Sequence, residues 1–482
     1  MDGMNAKTRL FPEADVLDMA SRRENRVLDQ LALLDKNPDC CVVSFTMNVA
    51  GPVKSAPMLD RAFFTGAARI MDALAAEGMP ARLQKLELPN TGAESLFTVP
   101  ADAERVKRVL VSIEEATPLG RLYDMDVIGR DGRKVGRSTP RKCLICDEAA
   151  AVCARSRRHT VAELQRRTAN IIKEEIALSA AHLAFKALIE EVSVTPKPGL
   201  VDKNNCGANP DMDLPMFERS AEALRPYFYE IALAVLEEDE NCCPFAMLPP
   251  FAVPGLAKKL REIGVRAEKA MLAATGGVNT HRGAIWSVGL LTAAYAYLAA
   301  EGIREGYGSL EDALLSEAAE LARALGDGTE ASSKGSLARR KYGVAGPVEQ
   351  AAAGFPAVRL ALSAKREFEQ LGTYFSADPW PFALLAVMAE LTDNNALRRG
   401  GEEGAAFVKE RAGELLEKGR TLPSAALTDE LLAFDRELTE RNVSCGGAAD
   451  MLACAIFIEN AAGSELMRSE RRIRSLAGKR TE

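Results

Sequence analysis

Residues 191–213 read EVSVTPKPGLVDKNNCGANPDMD. The stretch is polar, broken by Pro and Gly, and lies between residues 161–191 and 213–237, which both carry apolar helical spacing. Helices in a compact domain are usually joined by a few residues, and longer connections without secondary structure are commonly functional. Two readings stand for it: one wall of a phosphate- and metal-binding pocket in a large helical domain, or a plain surface loop.

Toward the C terminus the chain keeps reading helical, over 252–274, 284–300, 308–326, 357–370, 380–392, 401–419, 428–442 and 446–461. Ser309 with Asp312 opens one of these helices and Gly326 closes it. This half is therefore expected to be all-α. Polar clusters recur where the helices begin: Gly276-Gly277 with Asn279, His281, Arg282 and Gly283; Asp393 with Arg398, Arg399 and Gly401; Asn442 to Gly447 with Asp450. Free N–H groups at a helix start attract anions, and glycines let a phosphate approach closely. A basic run, Arg339 to Gly343, is either a phosphate contact or a solvated charge run. Asp202, Asp211, Asp213, Glu349, Asp393 and Asp450 all lie near such junctions and would hold a divalent cation for a polyphosphate if they converged. Of the three histidines, His182 lies in an apolar helix and reads as core, whereas His281 lies in a polar loop and reads as functional.

Upstream, helical segments at 13–36, 57–77 and 102–116, the last capped by Asp102, alternate with strand-like segments at 41–48, 82–88, 95–99 and 122–128. This half is expected to be α+β or α/β. On the last strand, Asp124 and Asp126 share a face roughly 7 Å apart. Paired carboxylates at that spacing suit Mg²⁺ and nucleotidyl transfer, and an edge strand with a solvated face gives the same pattern. Cys143, Cys146, Cys153 and His159 have the spacing of a tetrahedral zinc site, structural rather than catalytic. Arg155, Arg157 and Arg158 beside them support the other reading, reduced thiols next to a phosphate-binding arginine cluster.

The 482 residues exceed one core, so two domains are expected. A formal charge of -7 with 27% charged residues speaks against nucleic acid as the main partner. The N-terminal residues lack the apolar run of a signal peptide, and 284–300, with Ser287, Thr292 and two tyrosines, reads as a core helix rather than a membrane span. Ten cysteines then fit reduced thiols or metal ligands in a cytoplasmic protein.

Three stretches, residues 43–54, 122–128 and 141–159, resemble the apo-citrate lyase phosphoribosyl-dephospho-CoA transferase family over about residues 12–170. That likeness implies a nucleotidyltransferase-like α+β domain that attaches a prosthetic group to a serine of the citrate lyase acyl carrier protein and releases pyrophosphate. It points to Asn48, Gly51, Lys54, Asp124, Asp126, Arg155 and His159. Residues 191–202, 211–213, 277–283, 354–356, 393–401 and 442–450 resemble triphosphoribosyl-dephospho-CoA synthase over about 176–462. That family joins ATP and 3′-dephospho-CoA and releases adenine. Ala50, Asn209, Arg398 and Cys445 depart from the proline, two histidines and proline expected there.

The resemblances imply domains 1–172 and 173–482, the boundary falling within the helical run after Thr160. In the second domain Mg²⁺ is expected at Asp202, Asp213 and Asp393, phosphate at Lys197, Arg282 and Arg399, and acid–base chemistry at His281 or Glu191; Asn279 and Asn442 complete the substrate contacts. In the first, Asp124 and Asp126 hold Mg²⁺, with Asn48, Lys54 and Arg155 on substrate. The implied partners are the carrier protein and small nucleotides, without nucleic acid or membrane. Competing readings are an all-α metal-dependent nucleotide hydrolase with an accessory zinc domain, a non-enzymatic carrier-protein assembly factor, and the relative that serves malonate decarboxylase.

Overall fold

A computed structural model describes residues 11–237, 243–247, 249–253, 255–303, 306–326, 346–371 and 378–478. The basic run Arg339 to Gly343 lies outside them. The chain is mostly helical, with a four-stranded antiparallel sheet in its N-terminal region. The sheet is built on β1 (Cys41–Met47), which pairs with β3 (Glu94–Val99) on one side and β4 (Tyr123–Ile128) on the other; β2 (Arg82–Glu87) lies outside β3.

Side chains alternate across the sheet, so its two faces differ. One face carries Val43, Phe45, Phe97, Tyr123 and Met125 and packs against α2 (Pro57–Ala76), where Phe45 stacks on Phe63 at 4.8 Å. Gly66 of α2 permits this approach, since a Cβ there would lie 2.5 Å from the Phe45 ring. On the other face, α1 (Val16–Lys36) covers only part of the sheet. Leu34 meets Val42, Leu96 and Ile128, and Arg22 and Arg26 close on buried Glu94. Asp124 and Asp126 lie on this second face, opposite Thr46 and Ser44. Next come α3 (Ala103–Ala116), capped by Asp102 as expected, and the short α4 (Ala150–Ser156), which apolar periodicity did not reveal.

α5 (Val161–Ser193) starts from a Thr160–Glu163 capping box and runs without a break past residue 172. It leads into α6 (Leu214–Val235), α7 (Leu256–Ala274), α8 (Arg282–Glu301), α9 (Leu310–Leu325), α10 (Pro347–Ala352), α11 (Pro356–Gln370), α12 (Trp380–Glu390), α13 (Asn394–Gly419), α14 (Ser424–Glu440), α15 (Gly446–Gly463) and α16 (Glu465–Gly478). α8, α12 and α15 are apolar almost all round and form the interior. α8 is long and apolar enough to span a bilayer, but 89% of its most apolar window is buried against other helices. α13 starts earlier than the spacing predicts; Gly401, at φ 64°, joins its two helical pieces.

α16, not expected from the sequence, returns to the first half. Arg69 of α2 donates to Glu465 of α16 at 2.8 and 2.9 Å and to Glu175 of α5 at 2.6 Å. Arg61 donates to the Leu466 carbonyl at 3.1 Å and the Ala299 carbonyl at 3.3 Å. One contiguous cluster accordingly joins buried apolar residues of both halves, apart from the small Leu34 group. Arg69→Ala leaves two carboxylates without their shared cation and is expected to lower unfolding free energy by about 1–3 kcal/mol. An unchanged urea midpoint would rule out the clamp.

Two candidate active sites

The helical half encloses a cavity of ≈ 1150 Å³ where α8, α13 and α15 all begin. The loop after α5 forms one wall. Lys197 and Glu191, both buried, pair at 2.6 Å, and Lys197 also donates to the Glu191 carbonyl at 3.1 Å. Two more acids face the cavity, buried Asp393 and half-buried Asp450. Asp393 caps α13 through the Asn395 and Ala396 N–H groups (2.7 and 3.2 Å) and reaches the Ala448 N–H of α15 at 2.9 Å. Asp450 lies against the start of α8, where its carboxylate accepts from the Ala284 N–H. Burial, then the charges of Glu191 and Asp393, push the Asp450 carboxyl well above the usual carboxylate range. Burial raises Asp393 too, against the lowering effect of its N–H donors.

His281 is buried beside this group. Burial, reinforced by the Lys197 charge, pushes its imidazole down to about 3, so the ring is neutral at physiological pH. Thr280 Oγ1 donates to Ser220 Oγ at 2.7 Å, and Ser220 Oγ lies 2.7 Å from His281 Nδ1. With Ser220 donating to Nδ1, the ring proton sits on Nε2, which has no hydrogen-bond partner and stands at the cavity wall as a donor. Because the folded-state value lies below the unfolded 6.5, acid favours the unfolded chain. His281 costs no stability above about pH 6.5, then destabilises by about 1.4 kcal/mol per unit as pH falls toward 3. Between pH 7.5 and 5.5, His281→Gln should lose about 1 kcal/mol less than wild type in urea unfolding. Equal losses would mean the imidazole is already charged in the folded chain.

The expected Mg²⁺ set Asp202, Asp213 and Asp393 is not brought together. Only Asp393 lines the cavity. Asp202 is taken up by the N–H groups of Lys197, Asn204 and Asn205, and Asp213 caps α6 through Met216. Both acids shape backbone. Arg399 lines the cavity and also braces its wall, donating to the Ala208 carbonyl, Asn209 Oδ1 at 2.9 Å and Asn442 Oδ1 at 3.4 Å. Asn442 takes φ 54°, a left-handed conformation asparagine tolerates. Asn279 accepts from the Arg282 N–H at the start of α8, and Arg282 pairs with Glu268, both lining the cavity. Exposed Arg398 also lines the cavity. Asp450 did not stand out from the other junction acids in the sequence; its only signal was the preceding Gly446-Gly447. Ser220, on α6, carried none.

The first half holds a second cavity, ≈ 1040 Å³, lined by Asn48, Arg121, Arg137, Arg141, Arg157 and His159 among others. At its edge Glu114, buried, binds Arg137 at 2.6 Å, Arg141, and the Met125 N–H at 2.9 Å. Arg141 also donates to the Tyr123 carbonyl at 2.7 Å and lies 3.3 Å from Asp124 Oδ1. It thus stands between the cavity and the aspartate pair, which lies outside the lining, with Asp126 on Lys134 at 2.5 Å. Lys54 does not line the cavity; it closes its own turn on the Val49 carbonyl. Arg155 is exposed and not part of its lining. Glu114, Arg137 and Arg141 were missed, because nothing local in sequence links a mid-helix glutamate to arginines on a later loop.

The chain thus holds two separate cavities, one rimmed by arginines beside an aspartate pair and one where Lys197, Arg282 and Arg398 meet Glu191, Asp393 and Asp450. Residues 14–175 match the family described as apo-citrate lyase phosphoribosyl-dephospho-CoA transferase, and residues 177–469 match ATP:dephospho-CoA triphosphoribosyl transferase. The chain is 32% identical to Protein CitXG of Haemophilus influenzae over 458 residues, 91% of this chain and 94% of that one. It is 28% identical to Protein CitXG of Leuconostoc mesenteroides subsp. cremoris over 93% of this chain and 98% of that one. It is 35% identical to the 2-(5''-triphosphoribosyl)-3'-dephosphocoenzyme-A synthase of Haemophilus ducreyi, over 65% of this chain and 98% of that one. The chain belongs to the CitXG family, which carries both transferases in one polypeptide.

Proposed function

We propose that the two cavities divide one biosynthetic task. The chain is a bifunctional transferase: ATP and 3′-dephospho-CoA give 2′-(5″-triphosphoribosyl)-3′-dephospho-CoA and adenine, and the product is then transferred to a serine of the citrate lyase acyl carrier protein with release of pyrophosphate. The observation that carries this is the match of each half to one of the two families, each match spanning one cavity. The nucleotide-hydrolase and assembly-factor readings are not favoured.

In this proposal residues 1–172 carry the transfer and 173–482 the synthesis, both in the cytoplasm. In the helical half the 2′-hydroxyl of dephospho-CoA attacks the ribose C1 of ATP, and adenine leaves. Glu191 takes the hydroxyl proton, and Asp450, whose carboxyl burial raises well above the usual range, gives a proton to adenine. The remaining carboxylate Asp393 faces the positive charge that builds on the ribose. Lys197, Arg282 and Arg398 hold the triphosphate, and the His281 Nε2–H donates to it. Carboxylate oxygens at the cavity wall suit a divalent ion, and Mg²⁺ arriving with ATP would be held at Asp393. In the first half two carboxylates on one strand face fit Mg²⁺, which would be held by Asp124 and Asp126 and would neutralise pyrophosphate as it leaves. Arg141 and Arg157 line the phosphate cavity, and Asn48 contacts the substrate.

Incubation with ATP, dephospho-CoA and Mg²⁺, read by chromatography, tests this. Free adenine supports synthesis, ADP or AMP would favour hydrolysis, and no turnover would favour the assembly factor. Mass spectrometry of the apo carriers of citrate lyase and malonate decarboxylase, offered together, identifies the acceptor.

A further inference from the structure

We propose that Cys143, Cys146, Cys153 and His159 bind one structural zinc ion that holds the arginine-bearing wall of the transfer cavity. The four ligand atoms all lie within 4.8 Å of one another, and among the described residues no other group of three or more His, Cys, Asp or Glu is so gathered. Cys146 Sγ is 3.4 Å from Cys153 Sγ and 3.3 Å from His159 Nε2. Ligands about 2.3 Å from a central ion at tetrahedral angles stand roughly 3.5–3.8 Å apart, so little movement separates this geometry from a closed Cys₃His site.

Three separate local structures deliver the ligands. A small hairpin closes through the Cys143 N–H on the Glu148 carbonyl and the Ala150 N–H on the Arg141 carbonyl, and carries Cys143 and Cys146. The Ile145 N–H points at Cys143 Sγ at 3.5 Å, a backbone donor that favours a thiolate. α4 carries Cys153 and ends at Arg157, whose φ of 48° turns the chain sharply. His159 follows, fixed one residue before the Thr160 cap of α5.

Burial supplies an independent argument. From Gly129 to Thr168 the only buried apolar side chains are Cys143 and Cys153, while Ile145 and Val152 are exposed. A segment of this length without an apolar core of its own needs another cross-link to keep one structure. The four ligands supply it. On binding, three thiols release their protons and become thiolate ligands, while His159 coordinates through Nε2 as a neutral ring; no electron is transferred. The same segment presents Arg141, Arg157 and His159 to the cavity, and Arg141 reaches Asp124. The ion therefore positions cavity residues without touching substrate.

The full chain, purified without chelator from zinc-supplemented cells, is expected to hold about one zinc by mass spectrometry. Cys146→Ser should hold at least tenfold less, while adenine release by the helical half reports that the variant is folded. Should that variant fail to fold, wild-type chain refilled with Co²⁺ is read instead, and thiolate-to-cobalt charge-transfer absorption with a tetrahedral visible band is expected. Zinc below a tenth of an equivalent together with no cobalt spectrum overturns the proposal. A Cys146–Cys153 disulfide in the isolated protein, found by peptide mapping without reductant, overturns it equally. Both readouts are independent of carrier modification, so failure of the zinc site is distinguishable from failure of the transfer assignment.

Discussion

Gly283→Ala is expected to lower adenine release by about two orders of magnitude or more while leaving transfer of a premade triphosphoribosyl-dephospho-CoA to the carrier unchanged. A Cβ at this position would lie 1.8 Å from Asp450 Oδ2 and 2.7 Å from its carboxyl carbon. One of them must move, and Asp450 is the side chain assigned to protonate adenine. Misplacing a reacting group by an ångström costs about 10²-fold in rate. The substitution is otherwise favourable, since Gly283 lies in the first turn of α8 outside the positive-φ region and alanine is the better helix former. Gly413→Ala is the control: nothing lies within 4 Å of its added Cβ, it is remote from both cavities, and a gain of roughly 0.5–1 kcal/mol in stability is expected without change in either activity. Near-normal adenine release by Gly283→Ala would remove Asp450 from the chemistry.

The second large effect is expected from Asp126→Ala, which should slow carrier modification by about 10²–10³-fold with adenine release at the wild-type rate. Asp126 shares a strand face with Asp124 and is partly solvent-exposed, so its loss opens no core cavity and chiefly strands Lys134. The carboxylate's assigned task is to hold the ion that stabilises departing pyrophosphate. Measuring adenine and carrier mass in one reaction separates the steps: adenine accumulates while the carrier stays apo. If adenine release fell in parallel, the two halves would not divide the reactions as proposed.

Much of the architecture was legible because it is governed by local periodicity. The β-branched run at 41–47, the Asp102 and Ser309 caps and the all-round apolar α8 follow from contacts a few residues apart. α4 and α16 escaped notice for the same reason. The first is a short turn of helix whose buried side chain is a cysteine, and the second is a highly charged helix whose apolar stripe is narrow. Pairing Arg69 with Glu465 requires residues almost four hundred positions apart to meet, which no spacing rule addresses.

The site divides along the same line. By itself, the sequence determined the chemistry on offer: carboxylates and glycines at helix starts, a paired aspartate strand, a Cys₃His set and the order of motifs belonging to two transferase families. Those are properties of residue type and short spacing. Only the tertiary structure decided which of several similar acids faces the cavity. Asp202, Asp213 and Asp393 all cap backbone N–H groups, yet of these acids only Asp393, together with Asp450, lines the cavity where three helix starts converge. Burial and neighbouring charge also shifted titration, making His281 neutral and raising the Asp450 carboxyl. Convergence, desolvation and charge coupling arise between segments distant in the chain, so they come into being only when the helices pack.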